Sequence, residues 1–236
     1  AILKLPPSYS KDGPPTRLVY LAHGAGGGVT SNAWFLNNYA LKDSLLNNGY
    51  AVFDVNGGPS IENMGGSWVV QAAIKEYHHI LQHYNVHPLI FVTGLSMGGC
   101  SSTNFVYKHS NIVLAHTLFS PVLDLHEQAW QNPWLKTTRK AIAAAYNFKD
   151  PSGNHWEADR IKGWNPITMN TFFNGSDTLK IYPVPVKINT SRKFQQYIQN
   201  AGGYCELREM NSDDHGLSAG NPQMNRELLL FMKRFE

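Results

Sequence analysis

The chain has 236 residues, of which 42% are hydrophobic and 16% charged, and its formal net charge is +3 at pH 7. This length and balance are typical of one globular domain with a substantial core. Lysines and arginines form no run, so neither a nucleic-acid-binding surface nor a polybasic membrane segment is indicated. We therefore expect a small neutral or apolar partner, with no nucleic acid and no membrane.

The sequence pattern contains no membrane-spanning or targeting segment. No apolar stretch approaches the ~20 residues that span a bilayer, and the start of the chain is too short for a signal-peptide core. We expect a soluble protein, either a secreted mature form or a domain of a larger one. Cys100 and Cys205 lack a motif spacing and are expected to be buried free thiols.

Six apolar runs bounded by turn residues are predicted to be strands. Their apolarity is continuous rather than alternating, which is typical of strands covered on both faces in a parallel sheet. In chain order they are residues 18–22, 51–55, 89–93, 112–119, 184–188 and 205–210.

Helical patterns separate these runs. Trp34, Leu41 and Leu45 share one face of the first pattern. The second carries an apolar face at spacings of three and four, formed by Val69, Ala73, Tyr77, Ile80 and Tyr84. Asn221 and Pro222 provide a cap and a first-turn proline for a final helix. This alternation of strands and helices predicts a doubly wound α/β sandwich with a mostly parallel sheet.

The pentapeptide Gly-Leu-Ser-Met-Gly at residues 94–98 follows a predicted strand and opens a helical stretch. A strand that turns into a helix within a few residues strains the turn residue, and glycines two positions before and after it remove the side chains that would collide. Ser96 is therefore the candidate nucleophile. The pattern alone has about 0.1 chance matches in a chain of this composition, so the neighbouring segments carry the rest of the argument.

Two further segments stand at the ends of predicted strands. The glycine-rich residues 23–28 follow the strand at 18–22, and Asp214, His215 and Gly216 follow the last strand. In these three landmarks and their order the chain resembles the α/β-hydrolase superfamily over nearly its whole length. It is most similar to small secreted-type or phage-associated esterases of the dienelactone-hydrolase and prolyl-oligopeptidase-like branch. The resemblance implies the α/β-hydrolase fold with a cap insertion after the sixth strand of the family's sheet.

The cap insertion is assigned to residues 124–182 of a single domain, 1–236. This segment is rich in tryptophan, tyrosine and phenylalanine, with prolines and glycines between short helical pieces. We expect it to shape a substrate pocket over the nucleophile. The alternative is that most of these aromatic side chains only form the cap's own small core.

The predicted chemistry is the hydrolysis of carboxylic esters without a cofactor. A histidine must take the serine proton, and His215 has the expected place for that base. The negative oxygen of the intermediate needs fixed donors, for which the backbone amides of Met97 and of Ala25 or Gly26 are candidates. The alternative for the glycine-rich loop, a nucleotide P-loop, lacks the Lys-Ser/Thr ending. Short-acyl or aromatic esters, including acylated carbohydrates, are the expected substrates.

The acid that should orient His215 is not at its usual place in the family, a turn after the seventh strand. Residues 183–188 run directly into Asn189, Thr190 and Ser191, which resemble caps for a helix at 192–200. Asp213 and Asp214 adjoin the histidine too closely in sequence to reach its far ring nitrogen. Asp177 could approach only if the cap folded back.

Three explanations for the missing acid stay open. Asp124, just past the end of the sixth strand, takes the role, as this position does in some hydrolases, or it is only a helix cap. An additional loop between Ile188 and Asn189 is absent from this sequence. Catalysis has been lost, leaving a hydrolase-like binding module. A small serine peptidase is a further alternative, although peptidases of this superfamily normally carry a large accessory domain.

A pair of histidines on the second predicted helix has a spacing that could bind zinc. His79 and His83 stand four residues apart, but no acid or cysteine completes a ligand set. We therefore expect no metal.

Overall fold

The computed structural model describes residues 1–25, 29, 40–56, 63–125, 145–146, 178–182, 188–209 and 221–236. Within these ranges the fold is a seven-stranded sheet with helices on both faces. The sheet order is β1-β3-β2-β4-β5-β6-β7. The strands are β1 (Ile2–Lys4), β2 (Leu18–Ala22), β3 (Ala51–Asp54), β4 (Ile90–Leu95), β5 (Val113–Phe119), β6 (Thr178–Tyr182) and β7 (Tyr204–Leu207).

The sheet is parallel except at one edge. β1 pairs antiparallel with β3, with Ile2 opposite Asp54. All other neighbours, from β3 and β2 to β6 and β7, are parallel. The mostly parallel, doubly wound sheet predicted from the sequence is confirmed, whereas the short strand β1 was not predicted.

Five α-helices accompany the sheet in the described part of the chain. They are α1 (Ala40–Asn47), α2 (Ser67–His83), α3 (Met97–His109), α4 (Ile188–Asn200) and α5 (Pro222–Met232), with 3-10 turns at Ser110–Ile112 and Lys233–Phe235. None of the helices in these ranges is both long and apolar enough to cross a membrane.

The two faces of the sheet form two apolar cores because alternate residues of each strand point to opposite sides. Val19 and Leu21 of β2 face α1 and α5. Leu18, Tyr20 and Ala22 of the same strand face α2 and α3. Every residue of β2 is therefore buried, which explains the continuous rather than alternating apolarity of its sequence.

The described parts of the predicted helices agree with the structure, except that Tyr84 lies just beyond the end of α2, and Trp34 lies outside the described residues. The predicted face of α2 is buried along Val69, Ala73, Tyr77 and Ile80. Asn221 caps α5, since its side chain accepts a hydrogen bond from the amide of Gln223, and Pro222 is in the first turn. Both cysteines are buried and free, as predicted.

The sixth strand does not lie at its predicted place, residues 184–188, of which 184–187 are outside the described residues. The sixth strand is Thr178–Tyr182, and α4 already begins at Ile188. The last five residues assigned to the cap, 178–182, thus belong to the sheet. The helix runs without a break through Ile188 and Asn189, between which an additional loop was considered. The rest of the predicted cap lies outside the described residues, apart from residues 124–125 and 145–146.

Candidate active site

Ser96 occupies a strained turn between β4 and α3. Its backbone has φ 53° and ψ −117°, a region that side-chain-bearing residues rarely adopt. The amide of Ser96 donates to the carbonyl of Phe119 at 2.9 Å. Its own carbonyl accepts from the amides of Gly99 and Val122, also at 2.9 Å. These hydrogen bonds to α3, to the end of β5 and to the segment after β5 hold the strained residue in place.

Gly94 and Gly98 are required by close backbone approach. A Cβ on Gly94 would lie 2.2 Å from Ser102 Oγ and 2.5 Å from the carbonyl oxygen of Gly98. A Cβ on Gly98 would lie 2.1 Å from the carbonyl oxygen of Ala22. Neither position has room for a side chain. The packing therefore provides the physical reason for the glycine at each side of Ser96 that the sequence pattern indicated.

The start of the glycine-rich loop lies beside the nucleophile turn. Ala22 pairs with Gly94 in the parallel register of β2 and β4. A Cβ on Gly24 would lie 3.4 Å from Ser96 Cβ, which is ordinary contact distance. Ala25, the next residue, is exposed. The structure thus brings Gly24, the residue before the candidate donor Ala25, to the edge of the sheet where Ser96 lies.

The other candidate oxyanion donor, outside the glycine-rich loop, is the backbone amide of Met97. Met97 is the first residue of α3 and its side chain is buried. The first four amides of a helix have no partner within the helix, so the amide of Met97 is free of the helical hydrogen-bond pattern. Of the remaining predicted site residues, Gly26 and His215 lie outside the described part of the chain.

Asp124 lies in the segment that follows β5 and is half-buried. This segment contacts the nucleophile turn through the hydrogen bond from the Val122 amide to Ser96. Ser120, at its start, is fully buried and also has a positive φ of 44°. Asp124 is therefore two residues beyond a direct backbone contact with Ser96, at the carboxyl edge of the sheet.

A buried hydrogen bond between a histidine and an aspartate near this edge was missed by the sequence analysis. His23 Nδ1 lies 2.7 Å from Asp54 Oδ2, and both residues are 1% exposed. Burial raises the pKa of the Asp54 carboxyl, and the neighbouring His23 opposes that rise. In the sequence, the feature that could have indicated this contact was Asp54, a charged residue at the end of the otherwise apolar strand β3.

Neither cysteine is suited to nucleophilic chemistry. Burial raises the pKa of the Cys100 thiol to about 12 and that of Cys205 to about 12. Since the thiolate is the reactive form, both thiols are inert near neutral pH. Cys100 instead donates to the carbonyl of Met64, which also accepts from the hydroxyl of Tyr146. This contact ties residue 146, within the predicted cap, to the helical layer.

The histidine pair on α2 does not have the arrangement of metal ligands. The rings of His79 and His83 lie 4.2 Å apart between centroids, and His83 Nδ1 lies 2.8 Å from the carbonyl oxygen of His79. Across the described ranges, no three residues among His, Cys, Asp and Glu gather in a group that could hold a metal ion.

Sequence comparison gives no match to a protein-family model and none to a curated protein. Comparison with solved structures gives many matches. An S-formylglutathione hydrolase from Agrobacterium tumefaciens is 14% identical at a TM-score of 0.62, covering 99% of this chain and 89% of that one. A truncated carbohydrate esterase from gut microbiota is 17% identical at a TM-score of 0.68, covering 98% and 89%.

A peptidase is also among the structural matches. The acylaminoacyl peptidase of Pyrococcus horikoshii is 15% identical at a TM-score of 0.63, but the alignment, which spans 99% of this chain, covers only 38% of the peptidase. At these identities the likeness concerns the fold. Together with the parallel sheet and the strained Ser96 turn, it establishes that this chain has the α/β-hydrolase fold.

Proposed function

We propose that the protein is a serine hydrolase that cleaves carboxylic esters through an acyl-enzyme on Ser96. The observation that carries this proposal is the conformation of Ser96, a non-glycine residue at φ 53° between a strand and a helix. Such strain persists only where the surrounding structure imposes it, and it is concentrated at functional sites. Esterases among the structural matches support the same reaction class.

In the proposed reaction, His215 accepts the proton of Ser96 Oγ while that oxygen attacks the ester carbonyl. The negative oxygen of the tetrahedral intermediate accepts hydrogen bonds from the amides of Met97 and of Ala25 or Gly26. Collapse breaks the bond to the alcohol, which leaves with the proton from His215. Water then attacks the acyl group, again giving its proton to His215, and the carboxylic acid and the free serine are released.

Asp124 is proposed to orient the imidazole of His215. Its support is its place at the carboxyl edge of the sheet, two residues past the amide that binds the carbonyl of Ser96. Residues 183–187, which connect β6 to α4, contain no carboxylate. When the acid that orients the imidazole is removed, the turnover of such an enzyme falls by about 10⁴-fold.

The Asp124 assignment is tested by comparing Asp124→Asn with the exposed control Asp12→Asn. We expect turnover to fall by orders of magnitude in Asp124→Asn alone, with little change in melting temperature. A helix-capping role would instead cost ~1 kcal/mol of stability and leave turnover nearly unchanged. That second pattern would exclude Asp124.

The nucleophile is tested by labelling with a fluorophosphonate probe, which reacts with activated serines. Wild type and Ser44→Ala, a control serine on α1, should both be labelled and should hydrolyse p-nitrophenyl acetate. Ser96→Ala should do neither. Equal labelling of wild type and Ser96→Ala would refute the proposal, and a folded wild type that neither labels nor hydrolyses would identify a non-catalytic binding module.

The proposed substrates are short-acyl or aromatic esters, including acyl groups on carbohydrates. The aromatic residues of the predicted cap offer flat apolar walls with polar tips, which suit sugar and phenyl rings. A series of p-nitrophenyl esters of increasing acyl length measures this preference. Activity that rises beyond about eight carbons, or efficient cleavage of a peptide amide, would contradict it.

A further inference from the structure

The carboxyl end of β3 contacts the glycine-rich loop through a buried hydrogen bond between His23 and Asp54. His23 is the first residue after β2, and Asp54 is the last residue of β3. Because neighbouring parallel strands end at the same edge of the sheet, the two side chains meet there, with Nδ1 and Oδ2 2.7 Å apart. The other carboxylate oxygen of Asp54 accepts from the amide of Val55 at 2.7 Å.

A second contact from the same strand end reaches the other side of the loop. Asn56 lies two residues beyond Asp54, and its Oδ1 accepts a hydrogen bond from the amide of Val29 at 2.6 Å. Residues 23 and 29 are therefore each bound by a side chain from one short segment, 54–56. The candidate oxyanion donors, Ala25 and Gly26, lie between these two attachment points in the chain.

The attached loop is in contact with the nucleophile turn. A Cβ on Gly24 would meet Ser96 Cβ at 3.4 Å, and one on Gly98 would lie 2.6 Å from the carbonyl oxygen of His23. Displacing His23 would therefore shift its backbone relative to Gly98 and the Ser96 turn, two residues before the candidate donor Ala25. Donors to a developing oxyanion are effective only when they are fixed in advance, and a misplacement of about 1 Å can cost about 10²-fold in rate.

The contact between His23 and Asp54 is suited to fixing the orientation of the His23 ring rather than to raising the free energy of unfolding. A buried ion pair loses its hydration, so apolar side chains of similar volume are often equally or more stabilising. Unlike apolar packing, however, the contact is satisfied only when the ring nitrogen of His23 faces the carboxylate of Asp54. Desolvation raises the pKa of that carboxyl, as expected for a group held away from water.

We infer that His23, Asp54 and Asn56 form a two-point clamp that holds the glycine-rich loop in position beside Ser96. They are positioning residues, since they act on the reaction through the loop amides. The effect on catalysis rests on the proposed ester hydrolysis, whereas the attachment of residues 23 and 29 to the segment 54–56 is a property of the fold and can be measured without it.

The first measurement is amide hydrogen exchange of residues 23–29 in Asn56→Ala. Its control is Asn85→Ala, which removes hydrogen bonds from Asn85 Nδ2 to the carbonyls of Gly13, at 2.7 Å, and Ser10, at 3.3 Å, in the segment between α2 and β4. Loss of one hydrogen bond of this kind predicts exchange about fivefold faster in the loop of Asn56→Ala than in wild type or the control. Exchange that is no faster than in Asn85→Ala would overturn the clamp.

The second measurement is the kcat and KM of ester hydrolysis in the same variants. We expect Asn56→Ala to lower kcat about tenfold with KM unchanged, because the loop donors act on the transition state. Asn56→Asp, which keeps an oxygen acceptor, should retain the wild-type kcat, and Asp54→Ala should reproduce the loss of kcat at the other attachment point. If the loop exchanges faster while kcat stays unchanged, the proposed effect of the clamp on catalysis is refuted.

The two proposals fail in different ways. If wild type does not hydrolyse esters, the proposed function is refuted, and the exchange data still decide whether the clamp exists. If Asp54→Ala does not fold, the pair Asn56→Ala and Asn56→Asp decides, because Asn56 is only half-buried.

Discussion

Replacing Gly98 by alanine tests how tightly the nucleophile turn is packed against β2. The added Cβ would lie 2.1 Å from the carbonyl oxygen of Ala22. Ordinary contact begins at 3.4 Å, so the difference of 3.4 − 2.1 = 1.3 Å must come from a displacement of backbone. Overpacking costs ~1–3 kcal/mol or more, and a clash with backbone belongs at the upper end. The gain in helix propensity from glycine to alanine offsets up to ~1 kcal/mol, leaving a net loss of ~2 kcal/mol.

The same displacement should affect the proposed chemistry. Moving α3 from β2 by about 1 Å separates the amide of Met97 from the glycine-rich loop, which predicts about 10²-fold lower turnover. Urea unfolding and hydrolysis of p-nitrophenyl acetate measure the two effects. Gly24→Ala is the stability control, because its Cβ makes contacts no closer than 3.4 Å. If Gly98→Ala matches wild type within about 0.5 kcal/mol and threefold in turnover, the packing argument is wrong.

Two further predictions concern buried polar groups beneath the site. Burial lowers the pKa of His116 to about 3, so the unfolded state binds its proton between about pH 6.5 and 3 while the folded state does not. Stability should then fall with decreasing pH by up to ~1.4 kcal/mol per unit in this window, and His116→Gln should remove that contribution. A stability difference between wild type and His116→Gln that stays constant from pH 7 to 4 in urea unfolding would contradict this. The hydroxyls of Thr93 and Thr117 are hydrogen-bonded at 2.8 Å in the core, so Thr93→Val should cost ~1–3 kcal/mol, and adding Thr117→Val should recover part of it. Additive losses in the double-mutant cycle would show that the two hydroxyls do not stabilise each other.

The sequence was sufficient where the decisive forces are local. The turn at Ser96 could be predicted because a strand entering a helix leaves no room for side chains two residues away, and the glycines at 94 and 98 record that constraint. The same holds for the strand at 18–22, since burial on both faces requires continuous apolarity. The strand predicted at 112–119 was found at 113–119, although it carries the buried polar residues His116 and Thr117. Asn221 and Pro222 identified the start of α5 from capping alone.

The sixth strand shows where an apolar run misleads. Residues 184–188 are apolar apart from Lys187, but Pro185 lies among them and Pro183 directly before them. β6 is an interior strand, paired with β5 on one side and β7 on the other. A proline cannot donate to such a ladder and is confined to edge strands or strand ends. The segment Thr178–Tyr182, which has no proline, forms the strand instead.

The pairing of His23 with Asp54 was decided by the tertiary structure. The two residues are 31 positions apart, and nothing in the local sequence of either specifies the other. They meet because β3 lies next to β2 in the sheet order. Which strands become neighbours depends on how the whole sheet buries its two faces. The sequence by itself therefore determined the glycine-flanked turn at Ser96, whereas the contact between His23 and Asp54 follows from the packing of the complete fold.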